Sequence, residues 1–217
     1  MHIYEGILAA TPHGQEVLLA GTAAAVVGTA IGLYKMDHQR LPATAVLSSV
    51  FFVASLVQVP VPPTSVHLVL TGLMGLVLGW AAFPAVLVGL LLQTVFLSPM
   101  GVTTLGLNTL VMALPAVACH YLYRAAASCS RQQLVLFAGF AAGATAILLS
   151  ALLSAGALML AGKQFADIGR LFFWVHLPSA LIEGSVTASV VVLLRKVRPE
   201  VLQAPLLSSP IEELCDG

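Results

Sequence analysis

Apolar runs long enough to cross a lipid bilayer dominate this sequence, and from Leu134 to Ala161 not one side chain is charged. A water-soluble domain carries about a quarter charged residues. Here only 8% of 217 residues are charged and 59% are hydrophobic, so the chain cannot clothe itself for water. In lipid every backbone N–H and C=O must be satisfied internally, which leaves helices or a closed barrel. Long unbroken runs, rather than ten-residue alternations, choose helices. The expected fold class is all-α: a polytopic transmembrane helical bundle.

About seven spans are expected: Gly14 to Tyr34, Ala43 to Val59, His67 to Gly79, Pro84 to Leu97, Gly106 to Tyr123, a span within Leu134 to Ala161, and Leu171 to Leu194. Pro60, Pro62 and Pro63 break the pattern after the second. The third is short for a crossing, which needs about 20 residues, so it is expected to tilt or to begin below the surface. Basic residues orient the spans. If the spans alternate, Lys35, Arg40, Arg124, Arg131, Arg195, Lys196 and Arg198 share one side, and only Lys163 and Arg170 face the other. The N-terminus is therefore expected outside and the C-terminus in the cytoplasm, in a multi-pass protein of the inner (cytoplasmic) membrane. Residues 1–198 read as one transmembrane domain, with 1–13 as a separate N-terminal segment and 199–217 as a polar tail.

Nine basic and nine acidic residues balance, and no basic stripe suggests nucleic acid. Cys119, Cys129 and Cys215 form no CxxC pair and read as inert packing thiols. Met1 to Thr11 lacks the basic start of a signal peptide, with Glu5 in its place. The mature chain is therefore expected to begin at Met1, whose removal the bulky His2 disfavours.

A free amine followed by histidine is a chelator. The Met1 amine, the amide nitrogen between Met1 and His2, and the His2 imidazole close two fused rings around one ion and leave an in-plane position open. Planar nitrogen sites suit Ni(II) and Cu(II). The topology puts His67 on the same side as Met1, at the outer end of the third span, where its imidazole can complete the plane. Thr64 or Ser65 can hydrogen-bond its other nitrogen and set the tautomer. His13 and His38 read as interfacial and loop residues, and His120 as a packed residue near the cytoplasmic end of span five.

Four segments carry a resemblance to a known family: Met1-His2-Ile3-Tyr4-Glu5-Gly6; Pro63-Thr64-Ser65-Val66-His67-Leu68; Gly101-Val102-Thr103-Thr104-Leu105-Gly106-Leu107-Asn108-Thr109; and His176-Leu177-Pro178 with Glu183-Gly184. In this order they resemble the CbiM/NikM family, the substrate-capture subunits of energy-coupling-factor transporters for cobalt or nickel. The resemblance implies that Met1, His2 and His67 bind the ion, and that Asn108 and its loop, with Thr104, hold the N-terminal segment. It also implies partners: a transmembrane coupling subunit, a cytoplasmic ATPase pair and a small accessory membrane subunit. No permanently bound cofactor is implied; Co²⁺ or Ni²⁺ is cargo. Met100 stands where the family's loop has glycine, and Pro-Pro-Thr-Ser-Val-His replaces a Ser-Cys-Ser-His-Pro segment of many cobalt members. Cobalt comes first and nickel second.

His176 and Glu183, seven apart, share a helix face. An intramembrane carboxylate faces a bundle interior or cavity, so Glu183 reads as a buried hydrogen-bonding group or as part of an ion path. Ala20, Ala24 and Gly28 form a small-residue stripe that suits close helix packing, within the bundle or against a membrane partner. No phosphate-binding G-x-x-x-x-G-K-[ST] loop is present, and Gly162-Lys163-Gln164 lacks the hydroxyl. Either the protein is passive or another chain hydrolyses ATP, and the resemblance implies the second. Two competing classes remain. A membrane enzyme using Glu183 and His176 lacks a metalloprotease H-E-x-x-H, and an organic-vitamin pocket would need more than 7% aromatics.

Overall fold

The computed structural model describes residues 3, 8, 11–56, 58–61, 64–97, 101–127, 131–198 and 202. Seven α-helices follow in chain order among them: α1 Pro12–Tyr34, α2 Leu41–Ser55, α3 Thr71–Leu78, α4 Ala82–Leu97, α5 Leu105–Ala127, α6 Gln132–Ala161 and α7 Ala166–Val197. Thr11 starts α1: its hydroxyl accepts the Gly14 amide at 3.1 Å, and Pro12 takes the first helical position. Five stretches are long and apolar enough to cross a membrane. One of these, Thr71–Phe96, is divided by Gly79 at φ 57 into α3 and α4.

The helices alternate in direction. Gly32 of α1 meets Trp80 and Pro84 while Gly28 meets Phe83, so α1 and α4 run antiparallel. Ser48 bonds the Ala85 carbonyl and Gln93 bonds Ser55, so α2 and α4 run parallel. Gly75 abuts Ala116 and Gly79 abuts His120, so α3 and α5 run parallel. Gly139 abuts Ala188 and Gly169 abuts Ala155, so α6 and α7 run antiparallel. At the α1–α4, α3–α5 and α6–α7 crossings a glycine lets two backbones approach, the means by which helices associate in lipid without a hydrophobic driving force. An alanine methyl at Gly75 would overlap the Ala116 carbonyl oxygen, a backbone atom that cannot rotate away. Gly75→Ala is therefore expected to destabilise the bundle by about 1–3 kcal/mol, read as a lower midpoint of denaturant unfolding in micelles.

Several boundaries departed from expectation. α2 stops at Ser55, short of Val59, and α3 begins at Thr71 rather than near His67. The intervening chain forms a hairpin, β1 Gln58–Val61 with β2 Thr64–His67, antiparallel with Gln58 opposite His67 and Val61 opposite Thr64. Prolines forbid helix here, yet backbone groups inside a membrane protein still need partners, and a strand pair supplies them. The eight residues of α3 rise about 12 Å, well short of a crossing of about 30 Å. Its Gly72 packs on Ala142 and Gly143, well inside α6, so α3 begins within the bundle and the hairpin fills the space beyond it. α7 begins at Ala166, earlier than the expected Leu171.

Candidate metal-capture site

Asn108 lies in the first turn of α5, after a 3₁₀ turn Val102–Thr104. That turn starts from Gly101 at φ 67, a conformation a side chain disfavours. The Thr104 hydroxyl donates to the Gly101 carbonyl at 3.3 Å and ties the turn to itself. The Asn108 carboxamide then grips residue 3 twice: the Ile3 amide donates to Oδ1 at 3.0 Å, and Nδ2 donates to the Ile3 carbonyl at 3.2 Å. The side chain thereby copies one rung of a β-ladder. Ile3 is 2% exposed and Asn108 1%, so neither bond competes with solvent. The chain before α1 is held again where the Thr11 amide donates to the Leu8 carbonyl at 3.2 Å, and where the Thr11 hydroxyl reaches the Ala161 carbonyl at the end of α6.

Met1 and His2 lie outside the described residues. So do Pro62 and Pro63 of the hairpin turn, Cys129, Cys215, and the tail 199–217 except Leu202. For Thr64, Ser65 and His67 the description covers the backbone, which runs as strand β2 alongside α7.

α7 contributes two polar groups beneath this strand. Glu183 is 1% exposed; its Oε2 accepts the amide of Val69, two residues beyond His67, at 3.1 Å. Its Oε1 meets no hydrogen-bond partner among the described residues. The His176 Nδ1 lies 2.6 Å from the Phe172 carbonyl, and its ring stacks on Phe172 at 4.5 Å. A carbonyl only accepts, so Nδ1 carries the proton and Nε2 keeps its lone pair, buried and without a partner among the described residues. The two groups share a face as expected, but each bonds a different backbone group and no hydrogen bond joins them. The acid–base pair that an enzyme would need is not assembled.

The stripe Ala20, Ala24, Gly28 splits. Gly28 faces inward against the Phe83 ring, whereas Ala20 and Ala24 are exposed on the outside of the bundle. The inward edge of α1 is instead Gly14, Leu18, Gly21, Ala25, Gly28 and Gly32. His120 is packed: its Nδ1 bonds the Gly75 carbonyl at 2.9 Å, and Arg124 lies 3.0 Å from its Nε2. Cys119 is a buried free thiol. The contact that the sequence reading missed is the Val69 amide on Glu183, for which residues 114 apart offer no local signal.

Among the described residues no group of three or more His, Cys, Asp or Glu converges on one point. The family described as "CbiM: Cobalt uptake substrate-specific transmembrane region" matches residues 2–201. This chain belongs to the CbiM family.

Within that family, the chain is 42% identical over 207 residues to a "Putative metal transport protein" of Haemophilus influenzae, covering 93% of this chain and 97% of that one. It is 32% identical to the "Fused nickel transport protein NikMN" of Rhodobacter capsulatus, covering 93% of this chain and 64% of the fused protein. A solved structure described as a transition metal transporter shares the fold, with TM-score 0.75, 25% identity, and 91% and 93% of the two chains covered. The CbiM-type chain described here is a membrane protein of cobalt/nickel transport, and not an enzyme.

Proposed function

We propose that this CbiM-type chain is the substrate-capture subunit of an ATP-driven energy-coupling-factor importer. It takes Co²⁺, or as the alternative Ni²⁺, from outside with the Met1 amine, the Met1–His2 amide nitrogen and the imidazoles of His2 and His67. The observation that carries this reading is the double hydrogen bond between Asn108 and Ile3. It ties residue 3 into the core, and covalent connectivity then keeps the Met1 and His2 Cα atoms within about 7 Å of it. Thr104 supports the same turn; Thr64 and Ser65 are assigned to orient His67.

The excess of Lys and Arg on one end of the alternating helices supports an outside amino end and a cytoplasmic carboxyl end, in the cytoplasmic membrane. Residues 1–198 act as one transmembrane unit, with 199–217 as its tail. The chain has no nucleotide loop, so the energy is assigned to an ATPase pair acting through a transmembrane coupling subunit, with a small accessory membrane subunit alongside. The exposed Ala20 and Ala24 are assigned to helix packing against that coupling subunit, while Gly28 serves the bundle itself.

The test is calorimetric titration of the purified chain with Co²⁺ and Ni²⁺ between pH 5 and 8. The ion must displace protons from an amine of pKa about 8 and imidazoles of about 6.5. Protonated nitrogens do not ligate, so affinity is present above these values and is lost as pH falls through them. Below pH 7 it is expected to fall by about tenfold per pH unit for each proton displaced. A flat profile would rule out nitrogen ligation.

A further inference from the structure

We propose that Glu183 is the positioning residue that holds His67 in register for the metal, a role that rests on the capture reading above. His67 ends strand β2, and three residues carry the chain from there to the start of α3. That junction is irregular backbone inside the bundle: Leu70 adopts a left-handed conformation at φ 56, and no side chain of its own segment caps α3. The group that meets it comes from α7, where Glu183 Oε2 accepts the Val69 amide at 3.1 Å in surroundings that exclude water. The amides of Leu70 and Thr71 also face this carboxylate. The exposed N–H groups of a helix start favour a negative partner, which accounts for a carboxylate here.

The platform is stiff. The Glu183 carbonyl packs where a side chain at Gly143 of α6 would stand, and Gly184 packs on Phe140. His67 is fixed from its other side by pairing with Gln58. Two residues of chain span at most about 7 Å, so a movement of the Val69 amide is passed directly to His67. A chelate tolerates errors of only about 0.2 Å in its metal–nitrogen distances. Glu183 thus acts on the ion through the backbone, without touching it.

The experiment compares metal titrations and absorption spectra of the Co²⁺- and Ni²⁺-loaded chain for wild type, Glu183→Gln, Glu183→Leu, His67→Ala and the double variant. Glutamine keeps an acceptor for the Val69 amide, so Glu183→Gln is expected to bind within about fivefold of wild type, the difference between a charged and a neutral acceptor. Glu183→Leu is expected to lose about 10- to 100-fold in affinity, the usual cost of removing a group that orients a ligand. At saturating metal its spectrum should match that of His67→Ala, with one imidazole missing. The double variant should bind no worse than His67→Ala alone, because the carboxylate acts only through that imidazole.

A wild-type spectrum in saturated Glu183→Leu, or losses that multiply in the double variant, would overturn the proposal. If Glu183→Leu does not fold, Glu183→Asp, which withdraws the acceptor by about 1.5 Å while keeping its charge, is read by the same criteria. Wild-type binding by His67→Ala would overturn the capture reading and this role with it. A weakened His67→Ala with multiplying losses would overturn this role alone.

Discussion

His2→Ala, and a chain carrying Gly-Ser ahead of Met1, are expected to lose affinity for Co²⁺ and Ni²⁺ by about a thousandfold or more while remaining folded. Each change removes nitrogens from the four-nitrogen plane proposed above. The alanine variant deletes the imidazole that closes one ring, and the extension carries the free amine away from both. Protein metal sites of this kind draw on binding free energies of the order of 10 kcal/mol. Losing about 4–5 kcal/mol of that corresponds to about a thousandfold or more. Two added residues are needed, because a histidine third from a free amine makes a planar chelate of its own and would mask the loss. Competition titration against a calibrated chelator reads the change. Neither change alters a residue of the described helices, so gel filtration and helical circular dichroism should match wild type. Undiminished binding by the extended chain would exclude the amine as a ligand.

Asn108→Leu is expected to weaken metal binding by about a hundredfold without altering the ligands themselves. Leucine fills the space but leaves the Ile3 amide and carbonyl unpaired where no water reaches them, at about 1–3 kcal/mol for each group. The amino-terminal segment then gains by leaving the core, and the ion must supply the energy of putting it back. Asn108→Asp separates the two bonds: aspartate still accepts the Ile3 amide but sets a carboxylate against the Ile3 carbonyl, so it should behave nearly as badly as leucine. Amide exchange at Ile3 gives an independent reading, fast in both variants and slow in wild type. Slow exchange in Asn108→Leu would show that the segment is held by other contacts.

The two holds belong to different helices. The amino end hangs from α5 through Asn108, while the His67 strand hangs from α7 through Glu183. A relative shift of α5 and α7 would pull the two halves of the proposed nitrogen set apart.

Much of this protein is dictated by residue chemistry that can be read along the chain. Lipid as solvent demands long apolar helices, so their order and most of their ends follow from where charge and proline fall. The first helix begins at Pro12, two residues before the expected Gly14, whereas Asn108 was pointed out by the family resemblance and by no spacing of its own. The partners of those helices could not be read this way. In a bundle whose outer face is as apolar as its core, hydrophobicity no longer separates inside from outside. Ala20, Ala24 and Gly28 therefore look like one stripe, although only Gly28 faces inward. That the third span is short and begins below the surface was legible, but the hairpin before it was not, since it rests on a pairing of Gln58 with His67 that no helical or apolar pattern announces. The Glu183–Val69 bond joins residues 114 apart, and only tertiary packing can choose such a pair, because every backbone amide in the bundle is chemically alike.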